Sequence, residues 1–177
     1  MLMKKKNSKK ILYISRTYLG SYFSAHYDIL HPDPIYIKHQ RQLLKYIHQL
    51  NYEILIKPHP NNIEETKKNL YNLNFLTFSF DNIKYLIKKK IDILIFDSIK
   101  TSAFYDVIGD NLPIVFIDLN EHKIRDKAKT FVKQRCGYVG TKVDKKNNIV
   151  LNIEVLSRQI KKSHLLINNK KFIQYIS

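Results

Sequence analysis

Lys57-Pro58-His59-Pro60 sets a cation and an imidazole between two residues of restricted backbone, directly after the apolar run Glu53 to Ile56. Each proline fixes its own φ and disfavours helix for the residue before it. The imidazole is therefore aimed in one direction, where it could donate to a phosphate oxygen, best in its protonated form. A second polar turn, Ser98-Ile99-Lys100-Thr101-Ser102, follows the run Asp92 to Phe96. A helix starting there offers free N–H groups and hydroxyls to an anion, although Ser and Thr are equally ordinary helix caps. Ser15, Arg16 and Thr17 follow a third such run. Cations and hydroxyls recurring after apolar runs describe an anion site, and phosphate is the first candidate.

These residues need elements to hold them, and the apolar periodicity supplies an alternation. Ile11 to Ser15, Tyr52 to Ile56, Phe75 to Phe80, Asp92 to Phe96 and Pro113 to Ile117 read as strands. Pro34 to Leu50, Ile63 to Asn72, Asn82 to Lys90 and Thr101 to Ile108 read as the helices between them. Strands apolar on both faces and separated by helices predict an α/β fold: a Rossmann-like parallel sheet of about five strands with helices on both faces. After Leu119 the pattern turns helical, with Glu121 to Gln134 and Val150 to Ile167 as helices and Gly137 to Val143 as a candidate short strand. One domain over residues 1–177 is expected, with 1–10 a candidate disordered basic tail and 121–177 mainly helical. In such a sheet ligands bind beyond the carboxyl ends of the strands. All three polar groups stand there, together with Asp97 and Asp118.

Composition narrows the function classes. At 177 residues and 44% hydrophobic, the chain can build a real core, so general disorder is excluded. No apolar run approaches the roughly 20 residues of a membrane-spanning helix, and none after the basic start is long enough for a secretory signal. The cytoplasm is the expected address, with peripheral contact at the inner face of an anionic membrane left open by the charge. The net charge of +16 rests mostly on Lys, with five Arg, and its Lys runs are scattered, so a specific nucleic-acid partner is not expected. An RNA-binding surface would need Tyr and Phe exposed among Lys, whereas Phe75, Phe78, Phe80, Phe96 and Phe116 fall in the expected core strands. Cys136 is the single cysteine and reads as a bystander thiol. His26, His31 and Asp33 lack an accepted metal-ligand spacing.

Lys57-Pro58-His59-Pro60 and the stretch Asp92 to Asp118, "DILIFDSIKTSAFYDVIGDNLPIVFID", resemble the donor-binding C-terminal half of GT-B-type transferases of surface polysaccharide synthesis. Among these, the stretches are similar to the HP-motif capsule and polysialic acid transferases and to the CDP-glycerol glycerophosphotransferases. The resemblance runs from Ile11 to Asn120. It implies that Lys57, His59, Ser98, Thr101 and Ser102 bind the phosphate of a CMP- or CDP-linked donor. It also implies that Asp106 stands where the helix carries an acid. Arg16 and Thr17 follow a strand end and open a loop that could contact the donor nucleotide or sugar. Here the hydroxyl turn is spread over five residues instead of a tight pair, and Asp106 is shorter than the usual Glu.

The resemblance further implies a nucleotide-sugar donor as substrate and no cofactor. Metal-independent transfer is expected from the residues, since no Asp-x-Asp motif is present and cationic side chains could do the neutralising. This length holds one Rossmann-like half, so a second half, in another domain or subunit, is expected to supply the acceptor side and the catalytic base. A non-catalytic phosphate-binding module of flavodoxin type would use the same strand ends and remains the alternative on sequence grounds.

Overall fold

The computed structural model describes residues 8–18, 31–121 and 124–167. Seven strands form one sheet: β1 (Lys10–Ile14), β2 (Glu53–Lys57), β3 (Leu76–Phe78), β4 (Ile93–Phe96), β5 (Ile114–Asp118), β6 (Gly137–Val143) and β7 (Ile149–Leu151). Their order is β3-β2-β1-β4-β5-β6-β7, parallel throughout except for the antiparallel β6–β7 pair. The helices are α1 (Asp33–Gln49), α2 (Ile63–Leu70), α3 (Ile83–Ile87), α4 (Ser102–Val107), α5 (Asp126–Arg135) and α6 (Ile153–Lys162).

Alternation within the strands builds a core on each face. Ile11 and Tyr13 of β1 pack with Leu43, Leu44 and Ile47 of α1, Leu70 of α2 and Leu156 and Ile160 of α6. Leu12 and Ile14 pack on the opposite side with Ile83 and Leu86 of α3, Phe104 and Val107 of α4 and Val132 of α5. Burying both faces makes the strands nearly continuous apolar runs, as a covered parallel sheet requires.

The chain winds outward from β1 to β3, then crosses back to β4 on the other side of β1. This reversal opens a crevice at the carboxyl ends of β1 and β4. The register ends three strands level there: Ile14 is paired with Lys57 on one side and with Phe96 on the other. Ser15, Pro58 and Asp97 are consequently the first residues past the same sheet edge.

The Rossmann-like α/β fold is the expected one, but the sheet is two strands wider than five. Gly137–Val143 is a full strand, and Ile149–Leu151 pairs with it where a helix from Val150 was expected. Asp144 decides this locally. Its carboxylate accepts from the backbone N–H groups of Lys146 and Asn148, and Asn147 takes a left-handed φ of 58°, closing a hairpin. α6 then begins only at Ile153, with the Asn152 side chain accepting from Val155 N. Residues 121–167 thus hold two strands besides their helices. α5 likewise starts at Asp126, not Glu121, and Glu121 is buried beside Arg16. The expected tail ends sooner, since β1 starts at Lys10; Met1–Asn7 lie outside the described residues.

Phe80 does not join the core: it is 51% exposed, with the Lys67 ammonium over its ring. Cys136 is buried, and burial pushes its thiol up to about 12, in keeping with a bystander. Among the described residues no helix is long and apolar enough to cross a membrane.

Candidate functional site

A cavity of about 230 Å³ opens at the strand ends beside the reversal point, between the ends of β1 and β2 and the first turns of α3 and α4. Lys57, His59, Thr101, Ser102 and Asp106 all line it, with Ile14, Ser15, Pro58 and Asn82. The two polar turns are far apart in sequence and meet because β1 lies between β2 and β4.

Lys57 is the last residue of β2, and its Nζ donates to the Asp81 carbonyl at 2.8 Å, leaving two hydrogens for a ligand. Burial lowers the pKa of its ammonium, with Asp81 pulling the other way. His59 is held extended at φ −63° and ψ 137°, and its Nδ1 accepts the Asn61 N–H at 3.3 Å. Accepting at Nδ1 puts the ring hydrogen on Nε2. Burial, and then the Lys57 charge, lower the imidazole pKa below the ordinary 6.5. His59 is thus a neutral N–H donor at neutral pH, where the sequence suggested an imidazolium.

Thr101 caps α4, its Oγ1 accepting from Phe104 N at 3.2 Å, which still leaves its own hydrogen to donate. Ser102 and Asp106 are one helical turn apart and both exposed on the cavity wall. An ionised Asp106 is acceptor-only, so it suits a sugar hydroxyl rather than a phosphate.

The structure places three other candidates elsewhere. Ser98 lines a small neighbouring cleft with Asp97, Asp118 and Glu121, and its Oγ accepts from Lys100 N. Thr17 lies beyond the cavity lining and offers its carbonyl to Arg16. Arg16 is buried: its guanidinium donates to the carbonyls of Thr17 and His31 and lies 3.8 Å over the Tyr36 ring. Its charge is answered by Glu121 at 3.3 Å and Asp33 at 4.0 Å. The Glu121 contact is an ion pair rather than an aligned hydrogen bond. His26 lies outside the described residues, and His31 is buried with its Nε2 2.8 Å from the Leu119 carbonyl oxygen.

Beneath the edge runs a polar network that the sequence reading missed. Asp97, buried at the end of β4, accepts from the Tyr13 hydroxyl, from the Tyr36 hydroxyl at 2.6 Å and from Arg16 N at 3.1 Å. Burial raises the Asp97 pKa, against those three donors and the Arg16 charge. Gln40 carries the chain of bonds onward, accepting from the Tyr18 hydroxyl at 2.6 Å. The signal was Tyr13 in the middle of an apolar strand, because a buried phenol needs a hydrogen-bond partner.

An alpha-2,8-polysialyltransferase family model matches residues 5–111, more than half of the chain. The chain belongs to the alpha-2,8-polysialyltransferase family. Membership gives this polysialyltransferase-family protein a glycosyltransferase-like role in polysaccharide synthesis, as the HP-motif resemblance implied. The matched stretch spans β1 to α4 and contains each residue that lines the cavity. No curated protein sequence matches the chain.

Proposed function

We propose that this domain binds the phosphate of a CMP- or CDP-linked sugar in the cavity at the ends of β1 and β2. One observation carries the reading: Lys57 and His59 share a single cavity with Thr101, Ser102 and Asp106. Lys57 supplies charge, and His59 supplies the Nε2 hydrogen. Thr101 and Ser102 supply hydroxyl hydrogens, and Asp106 accepts from a ribose or sugar hydroxyl.

In transfer, an acceptor hydroxyl attacks the activated carbon, gives up its proton to a base, and the bond from that carbon to the phosphate oxygen breaks. Lys57 and His59 meet the charge that builds on the departing phosphate, a role that favours the transition state over the bound donor. In this reading side chains of the chain, rather than a metal, supply the neutralisation.

The cavity volume of about 230 Å³ is below the roughly 300–1,000 Å³ of pockets that enclose a whole drug-sized ligand. The rest of the donor and the acceptor are therefore contacted by other surfaces, which we assign to a second Rossmann-like domain or subunit in a GT-B arrangement. That partner would hold the catalytic base.

Calorimetric titration with CMP, CDP, UDP and inorganic phosphate, at low and moderate salt, tests the reading. Saturable, cytidine-preferring binding that survives moderate salt is expected, together with weaker binding by a folded His59→Ala variant. Weak, unselective binding that salt abolishes would be the behaviour of any strongly basic protein and would overturn the proposal.

A further inference from the structure

Ser15 lines the same cavity but belongs to neither motif. It is the first residue past β1, and its position is fixed from both sides. Its own N–H reaches toward the Lys57 carbonyl at 3.5 Å, and the N–H of the next residue, Arg16, donates to Asp97 at 3.1 Å. Arg16 is immobilised in turn by its carbonyl and carboxylate partners.

The side chain is another matter. Ser15 is 1% exposed, and its hydroxyl has no hydrogen-bond partner. Buried hydroxyls are nearly always paired, since an unpaired one keeps its desolvation cost with no compensating bond. The other polar groups of the cavity are less buried, and four of them have partners. Lys57, His59 and Thr101 are half-buried, and Asn82, Ser102 and Asp106 are exposed. Lys57 Nζ, His59 Nδ1, Thr101 Oγ1 and Asn82 Oδ1 already have partners within the protein. Ser15 is thus the buried polar residue of the lining, beside the buried Ile14 and Pro58, and its hydroxyl is uncommitted.

We propose that Ser15 is an anion-binding residue of this cavity, donating its hydroxyl hydrogen to a non-bridging oxygen of the phosphate group of a bound nucleoside monophosphate. The inference rests on the reading of the cavity as a donor-phosphate site and adds a contact from β1 to those from β2 and α4. A phosphate held there is gripped from three chain segments that meet where the sheet order reverses. The hydroxyl is pre-positioned by a backbone that the fold already holds, so little ordering is left for binding to impose.

The test compares wild type, Ser15→Ala and His59→Ala by calorimetry with CMP and by thermal unfolding without ligand. Ser15→Ala keeps the buried methylene and removes only the unpaired oxygen. Its ligand-free melting temperature should equal or exceed that of wild type. Its CMP affinity should fall about tenfold or more, the usual worth of a hydrogen bond to a charged group. Affinity measured on folded protein decides: an unchanged value overturns the role of Ser15, whatever happens to the melting temperature. Failure of Ser15→Ala to fold would show that the hydroxyl serves the fold and would equally overturn it. CMP binding that is weakened by His59→Ala but not by Ser15→Ala removes the Ser15 contact and leaves the phosphate site standing. Absence of CMP binding by wild type removes both.

Discussion

The Nε of Arg16 and a carboxylate oxygen of Glu121 lie 3.3 Å apart, with both side chains almost wholly buried. The pair ties the loop after β1 to the loop after β5 across the end of β4. Asp33 stands 4.0 Å from the same guanidinium, and Asp97 accepts from the Arg16 backbone. Two buried carboxylates and a half-buried third around one fixed cation leave an excess of negative charge, which raises a buried carboxyl's affinity for a proton.

For Glu121 the shift is upward. Burial pushes its carboxyl from the ordinary 4.5 up to about 7, against the pull of Arg16. The folded chain therefore holds a proton that the unfolded chain releases, so this group's contribution to stability is complete below pH 4.5 and is lost as pH rises through about 7. The loss is on the order of 3 kcal/mol. Glu121→Gln, which cannot ionise, should flatten the stability profile between about pH 5 and 8 and be at least as stable as wild type at the upper end. Urea unfolding across that range checks this; parallel profiles for the two proteins would show that Glu121 titrates as an ordinary carboxyl.

The second prediction concerns His59, whose pKa is lowered first by burial and then by the Lys57 charge. An NMR titration of the imidazole should find its midpoint below the ordinary 6.5, with the ring hydrogen on Nε2 above it. Lys57→Met removes the second cause and leaves the first, so the midpoint should move up without passing 6.5. A midpoint in the wild type at or above that value would contradict the neutral-donor role.

Gly137 provides the third. It begins β6 directly under α6, and a methyl group there would lie 3.0 Å from the Gln159 carbonyl oxygen and 3.2 Å from its Cβ. Alanine in place of glycine ordinarily stabilises a strand by limiting the unfolded chain, by about 0.4–1 kcal/mol. Here the neighbour is helix backbone, which cannot rotate away, so α6 must shift. Gly137→Ala should destabilise by about 1–3 kcal/mol net, the usual penalty of overpacking. An unchanged or higher urea midpoint would mean that α6 is only loosely seated on β6.

Much of the scaffold was legible because it rests on local period. Apolar runs such as Ile93 to Phe96 can be buried on both faces only in a covered parallel sheet, and the helical spacing between them leaves few other folds. Lys57-Pro58-His59-Pro60 announced itself for the same reason, since proline acts on its immediate neighbours. β7 escaped notice because three residues are too few to display a period of two, and its pairing depends on the Asp144 turn. Phe80 was misplaced because its strand stops at Phe78, and a strand's end is set by the partner strand rather than by its own residues.

The sequence by itself determined the class of fold and the edge of the sheet at which chemistry is to be sought. Only the tertiary structure decided which polar side chains reach the cavity. Tyr13 meets Asp97, and Arg16 meets Glu121, across long separations in the chain, and those meetings withdraw Arg16 from the site. Ser15 is the converse case: the sequence sets it at a strand end, and only the structure shows that its hydroxyl has no partner. A hydroxyl's lack of a partner is a property of its whole surroundings, and no local pattern of residues records it.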